Sequence, residues 1–200
     1  MLMRLDLYQL AHTLKDKMPF IWDAIENVNE WLFLLRYGRK VKKISATSIL
    51  DGYRLVKMKE VPTQKIVEFF QHQPEVAFRF FNPHQFDSKA IKRLQKNGSY
   101  LAYLLLDGSN GNIAGYCFNR CYFMGKGFRG RMVDIDYRGK GLGTAMNKIL
   151  NDVGFGIGLR LFETVSKDNV ASYRSALSAS NVKVVEEMEN NELYLEILPE

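Results

Sequence analysis

Arg138, Gly141 and Gly143 stand at a spacing, Arg-x-x-Gly-x-Gly, that suits the binding of phosphate. They lie in 133-VDIDYRGKGLGT-144, where an apolar segment ends, a glycine-spaced basic loop follows and a helical pattern begins at once. Glycine lets the backbone approach an anion closely, and a helix N-terminus points N–H groups at it. Charge-assisted hydrogen bonds contribute roughly 1.5–3 kcal/mol each and a helix end about 0.3–1, so backbone donors from Lys140 to Thr144 would dominate. A P-loop is excluded, because Gly139-Lys140 is followed by Gly141 where Ser or Thr is required. A dinucleotide fingerprint needs a third Gly or Ala. Counted from Gly139 that position is Thr144, and counted from Gly141 it is Met146. A plain strand-to-helix turn is the bland alternative.

The loop needs a strand before it and a helix after it, and the chain supplies both. The apolar pattern predicts a strand over Arg131–Asp136 and a helix over Gly141–Val153, ended by Gly154, Gly156 and Gly158. Upstream, Tyr53–Met58 alternates like a strand, and Val61–Gln73 and Ser88–Asn97 read as helices, with Ser88 as N-cap. Tyr100–Leu106 and Ile113–Asn119 form a hairpin about the turn residues 107–112, and Gly125, Gly127 and Gly130 loosen the next connection. Downstream come a strand over Leu159–Val165, a helix over Asp168–Ser180, and a hairpin of Val182–Glu187 with Glu192–Ile197. The order is strand, two helices, three strands, helix, strand, helix, two strands. It specifies an α+β fold with a mostly antiparallel mixed sheet and one parallel step.

In this order and context the loop resembles the pyrophosphate loop of the GNAT superfamily, the GCN5-related N-acetyltransferases. Val133 before the loop, Asp136-Tyr137-Arg138 entering it and 165-VSKDNVAS-172 after the next strand add to the resemblance, which covers roughly residues 52–198. It also extends to bacterial members with an aromatic–Pro-His-x-Phe run, here around His84. The resemblance implies a GNAT fold with splayed central strands and acetyl-CoA as cosubstrate, without a metal. Met132, Val133 and Ile135 would pair with or line the pantetheine arm. Arg138, Gly139, Lys140, Gly141, Leu142, Gly143 and Thr144 would hold pyrophosphate. Asn169 would contact the arm or fix the end of the second strand. Two departures stand out. Ile135 occupies a position that is often proline, and Ala176 stands where many members carry the tyrosine that protonates the leaving thiolate. Tyr173, one helical turn earlier, is the alternative acid.

The resemblance further implies direct transfer of acetyl to a primary amine in a ternary complex, and such an amine must be neutral to attack. His84, Asp134 and Glu163 are the candidate bases, with a structural histidine and outward-pointing carboxylates as the bland readings. An amino sugar or sugar nucleotide is the first expectation for the acceptor, with aromatic faces under the sugar and cations on its diphosphate. A non-enzymatic CoA-binding or scaffold protein, or a membrane-surface adaptor, is the rival reading.

Residues 1–50 read as an N-terminal helical extension to a catalytic domain of 51–200. Ile21, Ile25, Val28, Leu32 and Leu35 recur on one helix face. Arg36, Arg39, Lys40, Lys42 and Lys43 then place five cations within eight residues. That face would pack on its own domain or in a homodimer, or else residues 19–43 would make a peripheral membrane contact. Nucleic acid is not expected as a partner, because the cations lie in one short cluster. Cys117 and Cys121, without a histidine pair nearby, suggest reduced thiols in a cytoplasmic protein. No long apolar run marks a secretory signal.

Overall fold

A computed structural model describes residues 19–44 and 50–199, apart from the side chains of 19–22. The helical reading of residues 1–18 lies outside the described residues. In chain order the elements are α1 (Pro19–Lys43), β1 (Tyr53–Lys57), α2 (Thr63–His72), α3 (Ser88–Lys96), β2 (Tyr100–Asp107), β3 (Ile113–Tyr122) and β4 (Lys126–Val133). They continue with α4 (Leu142–Ile157), β5 (Arg160–Ser166), α5 (Val170–Leu177), β6 (Asn181–Met188) and β7 (Glu192–Leu198). Seven strands form one sheet in the order β1-β2-β3-β4-β5-β7-β6. Every neighbouring pair is antiparallel except β4 with β5. The expected α+β architecture, with one parallel step, is what forms.

Helices cover both faces. On one, α2 and α3 bury Ile66, Phe70 and Ile91 against Leu104, Tyr116 and Met132. On the other, α4 lays Leu142, Met146, Ile149, Leu150 and Val153 on Leu105, Ala114 and Cys117. That stripe is the face its apolar periodicity specifies.

The boundary differences that matter most concern β4, α4 and α3. The strand expected at Arg131–Asp136 runs instead over Lys126–Val133, and Ile135–Tyr137 is a 3-10 turn capped by the Asp134 side chain. Gly127 and Gly130 are strand residues, needed for close approach. A Cβ on Gly130 would lie 2.6 Å from the Phe118 ring, and one on Gly127 would lie 2.9 Å from Leu161. Likewise Gly154 and Gly156 lie inside α4, and only Gly158, at φ 92°, ends it. A Cβ on Gly154 would meet Leu161 at 2.5 Å, so that glycine lets helix and strand touch. Asp87 rather than Ser88 caps α3, its carboxylate accepting from the amides of Lys89 and Ala90.

Helix α1 docks by a face other than its regular apolar stripe. Phe33 and Tyr37, one turn apart, are buried with Cys121, Ile157, Leu159 and Leu161. Polar side chains fix the orientation. Asn29 donates to Cys121 O at 3.0 Å, Glu30 accepts from Gly98 N at 2.7 Å, and Lys40 donates to Ile157 O at 3.2 Å. Ile25, Val28 and Leu35 of the stripe point outward.

Candidate functional site

The loop after β4 is built around left-handed backbone. Gly139 (φ 78°) and Gly141 (φ 77°) occupy a region that costs other residues about 1–2 kcal/mol, and a Cβ on either would meet open space. Gly143 serves a different end, since its Cβ would lie 3.0 Å from Ser175 Oγ of α5. Handedness thus requires the first two glycines, and helix packing requires the third. Ala145 N makes the first α4 bond, to Gly141 O at 3.1 Å. The amides of Leu142, Gly143 and Thr144 precede it and have no carbonyl one turn back. Arg138 and Lys140 are exposed beside them. Lys140 Nζ sits 4.7 Å above the Tyr137 ring, and Tyr137 donates to Asp107 at 2.8 Å, anchoring the loop on the β2–β3 turn. The arrangement is a cationic nest of backbone donors suited to a diphosphate.

A wedge opens next to it. β4 and β5 pair only at Lys126–Arg160, Gly127–Leu161 and Phe128–Phe162. From Arg129 and Glu163 onward the two strands have separated. Behind the wedge, on the α4 side, Arg129 Nε lies 2.7 Å from Glu163 and Arg131 lies 3.1 Å from the same carboxylate oxygen. Arg129 also donates to Asn151 of α4, and Arg131 to Ser172 O of α5 at 2.8 Å. Burial works to raise the Glu163 carboxyl, but the two guanidiniums outweigh it and hold the group below its ordinary range. Two cations against one anion leave this buried cluster net positive. Arg129 Nη2, Glu163 Oε1 and Asn147 Oδ1 have no hydrogen-bond partner among the described residues.

The other sequence-selected residues fall as follows. Met132 packs into the α2–α3 core, while Val133 lies beside Gly143 and the α4 core. Ile135 sits past the end of β4, with its amide donating to Gln73 at 3.1 Å. Asn169 opens α5 as its N-cap, accepting from Ser172 N. Tyr173 packs partly buried beside the Val165–Leu195 cluster, and Ala176 is buried. Glu163, considered as a base, is held in an ion pair instead. Asp134 accepts from Gln73 at 2.6 Å and from Asp136 N at 2.9 Å, so both oxygens serve the turn. His84 uses both ring nitrogens: Nδ1 lies 2.8 Å from Gln85 O, and Nε2 lies 3.0 Å from the Tyr116 hydroxyl. Tyr116 bonds in turn to Tyr100 at 2.7 Å. A carbonyl only accepts, so Nδ1 carries the proton and Nε2 accepts from Tyr116. This chain locks the aromatic loop onto the core.

Sequence reasoning missed His72. It pairs with Asp136 at 2.9 Å, and that hydrogen bond, then the charge of Asp134, raises its pKa. Its i+1 neighbour Gln73 and the Asp-x-Asp of the loop were the available signals. One ligand atom each from His72, Asp134 and Asp136 lies within 4.8 Å of the others, an arrangement already accounted for by the bonds just named. The basic cluster of α1 lies elsewhere. Lys40 reaches the C-terminal end of α4, roughly 24 Å along the helix from the phosphate nest at 1.5 Å per residue. Lys40 of this cluster therefore stands apart from the nest.

Cys117 and Cys121 are buried and unpaired. Burial pushes the Cys117 thiol up to about 12 and raises Cys121 as well. Both are expected to resist iodoacetamide at pH 8 in the folded protein and to react fully in denaturant. Mass spectrometry checks this, and rapid native alkylation of either would contradict it.

No protein-family model and no curated protein matches the sequence. Solved structures do. The GNAT domain of S. lividans PAT superposes with a TM-score of 0.60 at 12% identity, covering 72% of this chain and 88% of that one. The N-acetyltransferase PseH of Campylobacter jejuni gives 0.54 at 16% identity, covering 73% and 97%. AAC(6')-Ib, solved with ribostamycin and coenzyme A, gives 0.56 at 15% identity, covering 74% and 93%. The chain has the GNAT fold.

Proposed function

We propose that this chain transfers an acetyl group from acetyl-CoA to a primary amine by direct attack in a ternary complex. The observation that carries the reading is the junction of two features on consecutive elements. The α4 N-terminus offers amides 142–144 to a diphosphate, and the β4–β5 wedge beginning at Arg129 accepts an extended arm beside it. Coenzyme A has both parts. The amine lone pair attacks the thioester carbon, the tetrahedral adduct collapses, and the C–S bond breaks with its electron pair going to sulfur. The net positive charge of Arg129, Arg131 and Glu163 behind the wedge favours the departing thiolate. That cluster supplies electrostatically what Ala176 lacks as an acid.

The acceptor is an amine on a compact polar molecule, an amino sugar first among them. AAC(6')-Ib was solved with an aminoglycoside, and an amine of that class is compatible with a site beside the aromatic loop. A sugar nucleotide stays within this class, although Lys40 of the α1 cluster reaches the end of α4 away from the nest. With His84, Asp134 and Glu163 all engaged within the protein, the amine gives up its proton to solvent.

Thiol release from acetyl-CoA tests the reading across free amino sugars, amino-sugar nucleotides, aminoglycosides, polyamines and peptides. Release with one class is expected, with a rate that climbs with pH through the acceptor's own pKa. A plateau near pH 6.5 would instead assign a histidine base. Absence of any thermal stabilisation by acetyl-CoA would overturn the coenzyme reading altogether.

A further inference from the structure

The outward face of α1 has no role in the site, and its composition is divided. Its acids all face the domain. Asp23 and Glu26 pair with Arg93, Glu26 also bonds Arg120, and Glu30 holds the Gly98 amide. Outside stand Ile25, Val28, Trp31 and Leu35, the last two 65% and 73% exposed. Arg39 lies eleven residues after Val28 and Lys42 seven after Leu35, spacings that keep both on this same face. Lys43 is exposed beside them.

A second element extends the patch. The β3–β4 turn carries Phe123 and Met124, 39% and 71% exposed, and it is tied to α1 by Arg36 donating to Phe123 O at 3.0 Å. Between helix and turn lies a groove of about 480 Å³ whose walls include Ile25, Val28, Tyr122 and Phe123. Scattered exposed apolar residues need no explanation, but a contiguous patch of this kind does.

We infer that this surface, α1 with the β3–β4 turn, lies on an anionic lipid membrane. Trp31, Leu35 and Met124 enter the headgroup–acyl boundary while Arg39, Lys42 and Lys43 meet anionic headgroups. The charge distribution selects this occupant. A second copy in antiparallel register would set Arg39 and Lys42 against the partner's apolar Ile25 and Val28, with no carboxylate to receive them. A lipid surface offers hydrocarbon and negative charge together. No helix among the described residues is long and apolar enough to cross a bilayer, so the contact is in the plane of the interface. The phosphate nest sits at the opposite end of α4 from the α1 cations and stays clear of the membrane.

The test is co-sedimentation of the full chain with sucrose-loaded vesicles of pure phosphatidylcholine or of phosphatidylcholine with one-third phosphatidylserine. Binding is expected on the anionic vesicles only, weakening as salt is raised. Trp31→Ser with Leu35→Ser should lower the partition coefficient at least tenfold. Arg39→Glu with Lys42→Glu should abolish the preference for anionic lipid. All four side chains are exposed, and far-ultraviolet circular dichroism and a thermal melt confirm that each variant folds. A wild-type chain that stays in the supernatant with anionic vesicles overturns the proposal. So does a Trp31→Ser/Leu35→Ser variant that binds like the wild type, or a wild-type dimer that the same variant dissolves. Acetyl-CoA stabilisation of the vesicle-free protein is measured separately, so neither reading depends on the other.

Discussion

A Gly141→Ala variant is expected to lose the thermal stabilisation that acetyl-CoA gives the wild-type chain, while remaining folded. Gly141 holds φ 77° at the N-cap of α4, and no protein atom lies near its missing Cβ. The substitution therefore strains the backbone by about 1–2 kcal/mol without a clash. Relief comes by rotating the residue out of the left-handed region, which turns the amides of Leu142, Gly143 and Thr144 away from the diphosphate. Loss of two charge-assisted bonds at roughly 1.5–3 kcal/mol each lowers affinity on the order of 100-fold or more. Gly158→Ala is the control. Gly158 has φ 92° at the opposite end of α4, and its Cβ would make only an ordinary 3.4 Å contact with Lys40 Nζ. It carries the same backbone strain away from the nest, and coenzyme affinity should stay at the wild-type value. Equal binding by Gly141→Ala and Gly158→Ala in calorimetry would remove the nest from the coenzyme site.

The second large effect concerns stability. Glu163→Ala leaves Arg129 and Arg131 buried without their anion, and breaking such a pair costs about 3–5 kcal/mol. For a chain of this size that lowers Tm by on the order of 10 °C. The folded-state carboxyl is held below its ordinary range, so its contribution is present above the unfolded pKa of about 4.3 and lost as pH falls through the lower folded value. The gap in stability between wild type and variant should be full at pH 7 and narrow progressively below pH 4. Replacing all three with apolar residues, Arg129→Met, Arg131→Met and Glu163→Leu together, should restore much of the stability but not thiol release. Full activity in that triple variant would take the cluster out of the chemistry.

Local chemistry explains which parts of this molecule could be read in advance. The hairpin of β2 and β3, the stripe of α4 and the opening of α5 by Asn169 each follow from periodicity or a capping residue within a few positions. Glycine was the main source of error. Gly127, Gly130, Gly154 and Gly156 read as loosened or terminating chain, whereas three of them, Gly127, Gly130 and Gly154, are places where Leu161 or Phe118 presses against the backbone. A close contact made across two elements, as Leu161 makes with Gly127 and Gly154 and Phe118 with Gly130, leaves no trace in the periodicity of either. The same limit applies to Glu163, whose sequence neighbours Phe162 and Thr164 reveal nothing of the two arginines across the wedge. It applies also to His84, since a histidine beside proline and phenylalanine reads alike whether its nitrogens face solvent or a buried tyrosine. For α1 the regular apolar stripe pointed to one face. The docking face is instead set by two aromatics, Phe33 and Tyr37, and by polar bonds from Asn29 and Glu30.

Only three residue pairs join β4 to β5 before the strands part. Four strands stand on one side of this seam and three on the other, so the sheet is an unfinished wall whose missing courses are a ligand's to lay. A molecule seated there becomes part of the masonry, and its concentration enters the folding equilibrium as RT ln(1 + [L]/Kd). For a chain that consumes that molecule, scarcity would then slow turnover and also withdraw the ligand's share of the protein's stability, and with it part of its resistance to proteases. Abundance of the donor and persistence of the catalyst would rise and fall together, without any separate regulator.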